Sequence, residues 1–370
     1  MPTAKMRMFL DNVPASKEQL AVFGVIRIDQ SIGMATEAEI DVPAGTDEGG
    51  TWQYFEDGFV QPFARIRVEI KVGEGEYVAL IDGPVISQRF KLEATPESSH
   101  LTLIVHDDSV LLNRDEAVVV FEDKSPSDIA EQLFSDAGFE PRVDSVPAVG
   151  SAFKRYSVQR GTPMQMLRKL ARDNGMFVYI EPGSAAGSSV GIFQRPVAAD
   201  EELPDLVLRG DQRNIGSFSA EFDALRPQAP QAASVLANDR SVVTASAPTA
   251  PGTPLGATPA HETVTPATTL LVSTREEQAD IDAATAAGAD LSSWAWTAQG
   301  EVHADGYPGV LRPYRKITVR GAGGHLSGDY LISRVAHEIR NAGYKQQFSL
   351  TRNARSAGAG GAPGVPGGVF

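Results

Sequence analysis

The chain has 370 residues, no cysteine and a formal net charge of −14 at neutral pH. The lack of cysteine excludes disulfides, thiol catalysis and thiolate-based zinc sites, and the acidic balance argues against nucleic-acid recognition, which usually needs a basic surface. A chain of this length is expected to build more than one hydrophobic core.

The first segment, residues 1–117, predicts a small antiparallel β-barrel. Arg65–Val72 alternates aliphatic and charged side chains, which is typical of a strand with one apolar face, and a glycine-containing turn follows it. The other predicted strands are Leu20–Ile28, Met34–Val42, Tyr77–Ile86 and Leu101–Val105. Short strands at this spacing favour a meander that closes on itself.

Residues 118–204 predict a compact α/β insertion domain, because the apolar period changes here to that of a helix. Ser125 precedes a proline and is the expected cap of a helix that ends near Gly138. The same arrangement returns with Thr162 as the cap and Gly175 as the end. Each helix leads into a β-like segment, so helices and strands are expected to pack together in this domain.

Residues 205–245 and 299–354 predict a second small β-barrel, interrupted by a linker and helical insertion at 246–298. The linker is rich in Pro, Ala and Thr and has little periodicity, and the Ala-rich helix after it is expected to weaken near Gly288. The predicted strands before the insertion are Asn214–Ala224 and Ala232–Ala245.

Residues 355–370 form a Gly-, Ala- and Pro-rich tail that we expect to be flexible. No segment approaches the roughly 18 consecutive apolar residues of a membrane-spanning helix. The N-terminal residues also lack the apolar core of a signal peptide. We therefore expect cytoplasmic synthesis and no membrane span.

The two predicted barrels share an order of elements. Each has an alternating strand, a glycine-rich turn, a longer strand that opens on Tyr77 or Tyr330, and a third strand after another turn. Few residues are identical, and generic hairpins would also produce part of this likeness. The expected fold class is α+β and mainly β, with two similar antiparallel barrels that arose by duplication.

Residue types that carry chemistry are scattered along the chain. The six histidines lack metal-ligand spacing, and His337 and Glu338 point to opposite faces of a predicted strand, where His337 should be half-buried beside Leu331. His106–Asp108 is expected to cap a turn, and the glycine-rich segment 321–324 lacks the Lys-Ser/Thr of a phosphate-binding loop. We predict no catalytic, cofactor-binding or metal-binding residues and no enzymatic activity.

In the middle of the chain, the helix positions Leu167, Leu170, Ala171 and Gly175 form a pattern that resembles the phage late control gene D family. The family's Glu-Ser-Asp lead is absent, and Gly161-Thr162-Pro163 stands in its place. Matches to the family's other patterns are Leu80–Val85, Gly306-Tyr307-Pro308, Val319-Arg320-Gly321, Ser327–Tyr330, Val335-Ala336-His337, Gly343-Tyr344 and Arg352-Asn353.

That family forms the baseplate hubs of contractile tails and is related to the hub part of type VI secretion spike proteins. The resemblance implies a structural homotrimer with two barrels per chain, which offers six similar barrels to a hexameric inner tube and a threefold platform to the spike. It also implies contacts with other baseplate proteins and no cofactor. Because the folded pattern stops near Ala354, we expect the spike to be a separate polypeptide.

Other interpretations stay open at this point. The particle can be a phage tail, a tailocin or an extracellular injection system. A tail-associated cell-wall hydrolase is disfavoured, because the sequence offers no acid pair or metal cluster. A carbohydrate-binding β module would use Trp294 and Trp296 as stacking residues, although core packing is the simpler role for both.

Overall fold

The computed structural model describes residues 4–146, 156–196, 203–236, 240–271, 277–340 and 343–356. The structure is mainly β, with 45% strand and 17% helix in largely antiparallel sheets, which confirms the predicted mainly β character. Most of the predicted tail, residues 357–370, lies outside the described residues.

The first part of the chain forms seven strands. They are β1 (Ala4–Leu10), β2 (Val13–Pro14), β3 (Ile26–Ser31), β4 (Glu37–Ala44), β5 (Arg65–Val72), β6 (Val78–Lys91) and β7 (Ser99–His106). Short 3-10 helices lie at Gly58–Val60, Pro96–Ser98 and Asp108–Asn113. The prediction of a strand from Leu20 is wrong, because a capping box between Ser16 and Gln19 starts a one-turn helix, α1 (Lys17–Leu20).

The described residues of the insertion form two helices and five strands. They are β8 (Ala117–Glu122), α2 (Pro126–Asp136), β9 (Glu140–Val143), β10 (Tyr156–Gly161), α3 (Pro163–Asp173), β11 (Phe177–Pro182) and β12 (Ser189–Gln194). Ser125 and Thr162 cap α2 and α3 in complete capping boxes, and Gly138 and Gly175 have the left-handed φ values of 78° and 64° that end helices. Both helix predictions are confirmed.

The remaining elements lie after residue 203. They are β13 (Leu206–Val207), β14 (Phe218–Phe222), β15 (Gln228–Val235), β16 (Val242–Ser246), β17 (Thr258–Pro259), α4 (Ala260–Thr263), β18 (Ala267–Leu270), α5 (Gln278–Ser293), β19 (Trp296–His303), β20 (Lys316–Arg320), β21 (Gly328–Arg340), β22 (Gly343–Arg352) and β23 (Ala354–Arg355). The helix α5 runs through Gly288 without a break, contrary to prediction. A Cβ at Gly288 would lie 3.1 Å from Pro230 Cγ, so glycine allows α5 to lie close to β15.

One sheet of thirteen strands contains two units with the same strand order. The hydrogen-bonded order is β1-β5-β6-β7-β4-β3 in unit 1 and β13-β20-β21-β22-β19-β14 in unit 2. If the six strands of each unit are numbered along the chain, both units have the hydrogen-bonded order first, fourth, fifth, sixth, third and second. The units differ at one edge, because β1 is antiparallel to β5 whereas β13 is parallel to β20.

The registers of the two units correct two sequence-based predictions. Ile66 pairs with Gly83 where Ile317 pairs with Tyr330, so Tyr77 is not the partner of Tyr330 in the repeat. The predicted second barrel included residues 232–245, but β15 and β16 form a separate three-stranded sheet with β18. Within the described ranges the large sheet is an open path from β14 to β2, with no barrel closed by hydrogen bonds.

The buried apolar residues form separate cores. One lies inside unit 1 around Ile40, Val68 and Leu103, and one inside unit 2 around Val319 and Phe348. A third lies in the insertion, where α2 and α3 pack their apolar faces around Phe134 and Phe193. The helices and strands of the insertion therefore pack around a separate apolar core, to which Leu112 of the preceding 3-10 helix also contributes.

Candidate functional site

The two units meet where β3 pairs with the second half of β21, from Arg334 opposite Ser31 to Ile339 opposite Ile26. The side chain of His337 is buried at this junction, with its Nε2 3.1 Å from Gln30 Oε1 and its Nδ1 2.8 Å from the hydroxyl of Tyr344. These contacts join a strand of unit 1 to two strands of unit 2.

The junction histidine has a structural rather than a catalytic environment. Burial lowers its pKa to about 3, so His337 is neutral at neutral pH, and both ring nitrogens have partners. Glu338 points to the other face, as predicted, and there it accepts a hydrogen bond from Arg340 Nε at 2.6 Å. The prediction that Leu331 shares the face of His337 is wrong. A β-bulge at Ser333 turns Leu331 to the side of Trp294, in a different apolar cluster from Val335.

A buried charge cluster joins unit 1 to the insertion. Asp82 accepts hydrogen bonds from Arg65 Nε at 2.7 Å, from Arg67 Nη1 at 3.0 Å and from the backbone N–H of Gly187 at 2.9 Å. Arg67 Nη1 also donates to the carbonyl of Gly183 at 2.9 Å. The turn between β11 and β12 therefore covers the charged face of β5.

The cluster is balanced in charge. Glu69 binds Arg67 Nε at 2.7 Å and also pairs with Arg7, while Asp108 binds Arg65 at 2.7 Å. Three arginines thus face three carboxylates. Sequence alternation correctly placed these charges opposite the aliphatic face, but it gave no signal that a distant turn would bury them. Arg67 and Glu69 are 4% and 2% exposed.

The insertion also contacts unit 2 through stacked tyrosines. The rings of Tyr179 and Tyr314 lie 3.6 Å apart and 3° from parallel, and Arg315 binds Glu181 with two hydrogen bonds of 2.8 and 3.1 Å. Burial raises the pKa of Tyr179 to about 12, so its hydroxyl stays protonated at neutral pH. The hydroxyl of Tyr314 accepts the N–H of Gly33 at 2.8 Å and ties unit 1 to the same contact.

The remaining sequence candidates have structural positions. Asp107 caps the 3-10 helix after β7, as predicted, by accepting the N–H of Ser109 at 2.9 Å. Trp294 is 8% exposed, and Trp296 packs against Phe222 with its ring centroid 4.5 Å away and lies beside Arg352. Neither indole offers an open face of the kind that stacks on a sugar.

Two of the cavities in the described part of the chain differ in position: one adjoins the tyrosine contact, and one lies away from these contacts. A small one of about 30 Å³ lies beside Tyr179, Tyr314 and Asp107. A larger one of about 310 Å³ lies between the linker and the end of α5, lined by Thr249, Gly252, His261, Glu262, Ser293 and Asn353. The sequence did not predict that His261 and Glu262 line a cavity with Ser293 and Asn353, which lie far from them along the chain.

Two absences hold for the part of the chain that the structure describes. No group of three or more His, Asp or Glu side chains there is arranged to hold a metal ion. None of the helices in those ranges combines the length and apolarity that crossing a bilayer requires.

Two surfaces have the properties of protein interfaces. On β8 and β10, Val118, Val120, Tyr156 and Val158 share one face and are 40–76% exposed. The second surface consists of sheet edges. The end of β6 carries Phe90, which is 49% exposed, and β14 is mostly exposed along its length. Exposed apolar faces and unpaired edges usually mark contact sites in soluble proteins.

The comparison with family models is decisive for the family of this chain. The model described as the Alg8 N-terminal domain matches residues 12–341, which is most of the sequence. The chain belongs to this family. Its description names a domain and states no activity, and no curated protein matches the chain.

Solved structures show the fold. The prophage MuSo2 43 kDa tail protein of Shewanella oneidensis matches with a TM-score of 0.63 and 16% identity, over 95% of this chain and 99% of that one. A tail protein of Neisseria meningitidis MC58 matches with a TM-score of 0.61 and 15% identity, over 95% and 97%. At these identities the likeness establishes the fold: this chain has the architecture of phage tail proteins.

A secretion-system protein has the same architecture. The E. coli c3393 protein, described as a type VI secretion component with structural similarity to T4 tail proteins gp27 and gp5, matches with a TM-score of 0.56 and 11% identity. The match covers 96% of this chain and 79% of that chain. The fold is thus common to tail proteins and to a secretion-system component.

Proposed function

We propose that this protein is the structural baseplate hub of a contractile injection particle, of the phage late control gene D type. In this role it is a homotrimeric adaptor that joins a hexameric inner tube to a threefold spike and contacts other baseplate proteins. It acts by assembly and catalyses no reaction. Its place is in the assembled particle after synthesis in the cytoplasm.

The observation that carries the proposal is the repeated strand order. Each chain holds two units with the same six-strand order, so three chains around an axis place six similar units in a ring. Such a ring can meet a sixfold tube on one side while the chain as a whole keeps threefold symmetry. The junction through β3 and β21 fixes the two units of one chain side by side in a continuous sheet.

The chemistry of the buried polar groups supports a structural role. His337 and Asp82 have their hydrogen-bonding atoms engaged by neighbouring strands or the insertion. Of the tryptophans in the carbohydrate-binding interpretation, Trp294 is buried, and Trp296 is half-buried against Phe222 and Arg352. An enzyme of the hydrolase type needs titratable groups that converge on an accessible cleft. The polar groups around His337 and Asp82 instead bond to one another inside the protein, and the charges around Asp82 are balanced.

Native mass spectrometry and localisation test the proposal. We expect a species of three times the chain mass, and antibody labelling of particles should mark one end of the tube, at the baseplate. A particle that assembles normally in a strain without this gene would refute the hub role. Hydrolysis of purified peptidoglycan by the isolated protein would refute the absence of catalysis.

A further inference from the structure

The strand pairing between β3 and β21 has an equivalent position in unit 1 that no strand of the same chain occupies in the described residues. In unit 2, the second half of β21 receives β3 from unit 1 along its outer edge. In unit 1, the matching strand is β6, and its second half pairs with β7 on one side. Within the described residues its other edge past Val85 pairs with no strand, and neither does the outer edge of β14.

The match between β6 and β21 holds residue by residue. Phe63 and Tyr314 both have a left-handed φ of 65°. The N–H of Phe63 donates to the carbonyl of Val85 at 2.8 Å, and that of Tyr314 donates to the carbonyl of Ile332 at 3.0 Å. A β-bulge follows each acceptor, at Ile86 and Ser333. The segment after the first bulge, from Ser87, is therefore equivalent to the segment of β21 that begins at Arg334.

The match between β14 and β3 follows from the same registers. The residues after the bulges, Ser87 and Arg334, pair with Ile104 and Ser349. On the next strand of each unit, Ile104 pairs with Glu39 and Ser349 pairs with Gln299. One strand further, Glu39 pairs with Arg27 and Gln299 pairs with Ser219. Arg27 on β3 is thus equivalent to Ser219 on β14, and Asp29 is equivalent to Glu221.

We infer that β14 of one chain adds antiparallel to the open edge of β6 in a second copy of this chain, in the register that β3 uses on β21. This register places Glu221 opposite Arg89, Ala220 opposite Phe90, and Phe218 opposite Leu92. That the assembly is a trimer rests on the proposed function. The strand contact adds which surfaces join its copies.

The side chains on the two edges are complementary in this register. One face pairs Ala220 and Phe218 with Phe90 and Leu92, which are both 49% exposed in the single chain. The other face sets the carboxylate of Glu221 against the guanidinium of Arg89, whose side chain is 62% exposed. The internal junction has the same division, with apolar residues buried on one face and the Arg27–Glu338 ion pair at 3.6 Å on the other.

The geometry of the contact is head to tail. The contact joins two different edges, β14 of one copy and β6 of the next. A copy that uses its β14 in this way still has its own β6 edge free, and this edge can bind β14 of a third copy. Such a contact closes into a ring when the rotation between copies is a simple fraction of a turn. Strand addition also supplies backbone hydrogen bonds that are independent of the net charge of −14.

Charge reversal tests the contact in the full-length protein. Glu221→Arg should weaken self-association at least tenfold, measured by sedimentation equilibrium, because it sets two positive groups opposite each other. Adding Arg89→Glu with Glu39→Gln should restore association, because the cross-chain pair is then reversed and the carboxylate of Glu39, which binds Arg89 at 2.8 Å, no longer faces a second carboxylate. Glu140→Arg is the matched control, since Glu140 is 72% exposed in the insertion and far from both edges in the sheet order.

A cysteine pair gives an independent test, since the natural chain has no cysteine. Arg89→Cys with Glu221→Cys should form disulfides between chains on oxidation, up to a closed three-chain species on a non-reducing gel. Arg89→Cys with Ala220→Cys is the control, because Ala220 faces the other side of β14 and should cross-link at least tenfold less.

The outcomes separate this inference from the proposed function. A trimer that tolerates Glu221→Arg and yields no 89–221 disulfide refutes the strand contact and leaves the hub role intact. A wild-type chain that does not associate, together with a double-cysteine variant that forms no 89–221 disulfide, also refutes the contact, and localisation in particles then judges the hub role by itself. Disulfides between the two cysteines together with restoration by the double charge reversal establish the contact.

Discussion

The Nε2 atom of His337 lies 3.1 Å from Oε1 of Gln30, across the strand pair that joins unit 1 to unit 2. The amide of Gln30 is oriented by its own Nε2, which donates to the carbonyl of Leu80 at 2.7 Å. Its Oε1 must therefore accept, so His337 carries its proton on Nε2 and its Nδ1 accepts from Tyr344. The neutral imidazole satisfies the whole chain of hydrogen bonds.

This arrangement predicts acid sensitivity. The pKa of His337 is lowered by burial from 6.5 to about 3, so between these values the unfolded chain binds a proton that the folded chain does not. The free energy of unfolding should fall as the pH drops through this window, by about 3 kcal/mol at pH 4, and should not depend on this group above pH 7.

Urea unfolding of wild type and His337→Gln at pH 7 and pH 4 measures the effect. The variant should be less stable at pH 7 but should lose about 3 kcal/mol less on acidification. His303→Gln is the control, because the side chain of His303 is 55% exposed. Equal losses in wild type and His337→Gln would contradict the prediction.

The buried arginine of unit 1 should be indispensable to stability. Arg67→Met removes the guanidinium from Glu69 and Asp82 and leaves both carboxylates buried, which costs about 3–5 kcal/mol. It also frees the carbonyl of Gly183, so the β11–β12 turn should become more sensitive to protease. Lys71→Met on the same strand is the control, since Lys71 is only half-buried. Equal unfolding midpoints for the two variants would count against the cluster's role.

Local signals in the sequence predicted the local structure well. The capping residues Ser125 and Thr162 and the glycines that follow each helix fix both ends of α2 and α3 within a few residues of chain. The alternation of Arg65–Val72 likewise predicts its strand, because period-two burial is a property of a single segment. None of these features depends on distant residues.

The remaining features depend on contacts between distant segments. The bulge at Ser333 reverses the side of Leu331 because a neighbouring strand sets the register, and the burial of Arg67 depends on a turn more than a hundred residues away. The helix α5 continues through Gly288, where an added Cβ would lie 3.1 Å from Pro230 on the distant strand β15. The junction of His337 with Gln30 spans 307 residues, so the sequence pattern around either residue could not indicate it.

The Thr162 cap of α3 should make a modest contribution to the free energy of unfolding. Thr162 Oγ1 accepts the N–H of Gln165 at 3.2 Å and also bonds Asn113 at 2.9 Å. Thr162→Ala should therefore lower the free energy of unfolding by about 1–2 kcal/mol, while Thr162→Ser keeps the hydroxyl and should cost less than about 0.5 kcal/mol. Thermal unfolding of the two variants side by side measures the difference, and an equal cost would argue against a role for the cap.

Gly83 lies against the backbone of His106 with no room for a side chain, so substitution of this glycine should be severe. A Cβ there would lie 1.8 Å from the carbonyl oxygen of His106 and 2.9 Å from its carbon, so the backbone of β6 or of the end of β7 must move. The neighbouring Asp82 and Asp108 both bind Arg65, so a shift also disturbs the charge cluster.

We expect Gly83→Ala to destabilise the protein by about 3 kcal/mol or more, because overpacking against backbone cannot be relieved by a side-chain rotation. Gly58→Ala is the matched control, since no atom lies within 4 Å of its added Cβ. The readouts are soluble yield and the urea midpoint, so a variant that fails to fold is still scored. A Gly83→Ala protein with the yield and midpoint of Gly58→Ala would show that β6 can move away from β7 at little cost. The strand register on which the equivalence of β6 and β21 depends would then not be held rigidly in unit 1.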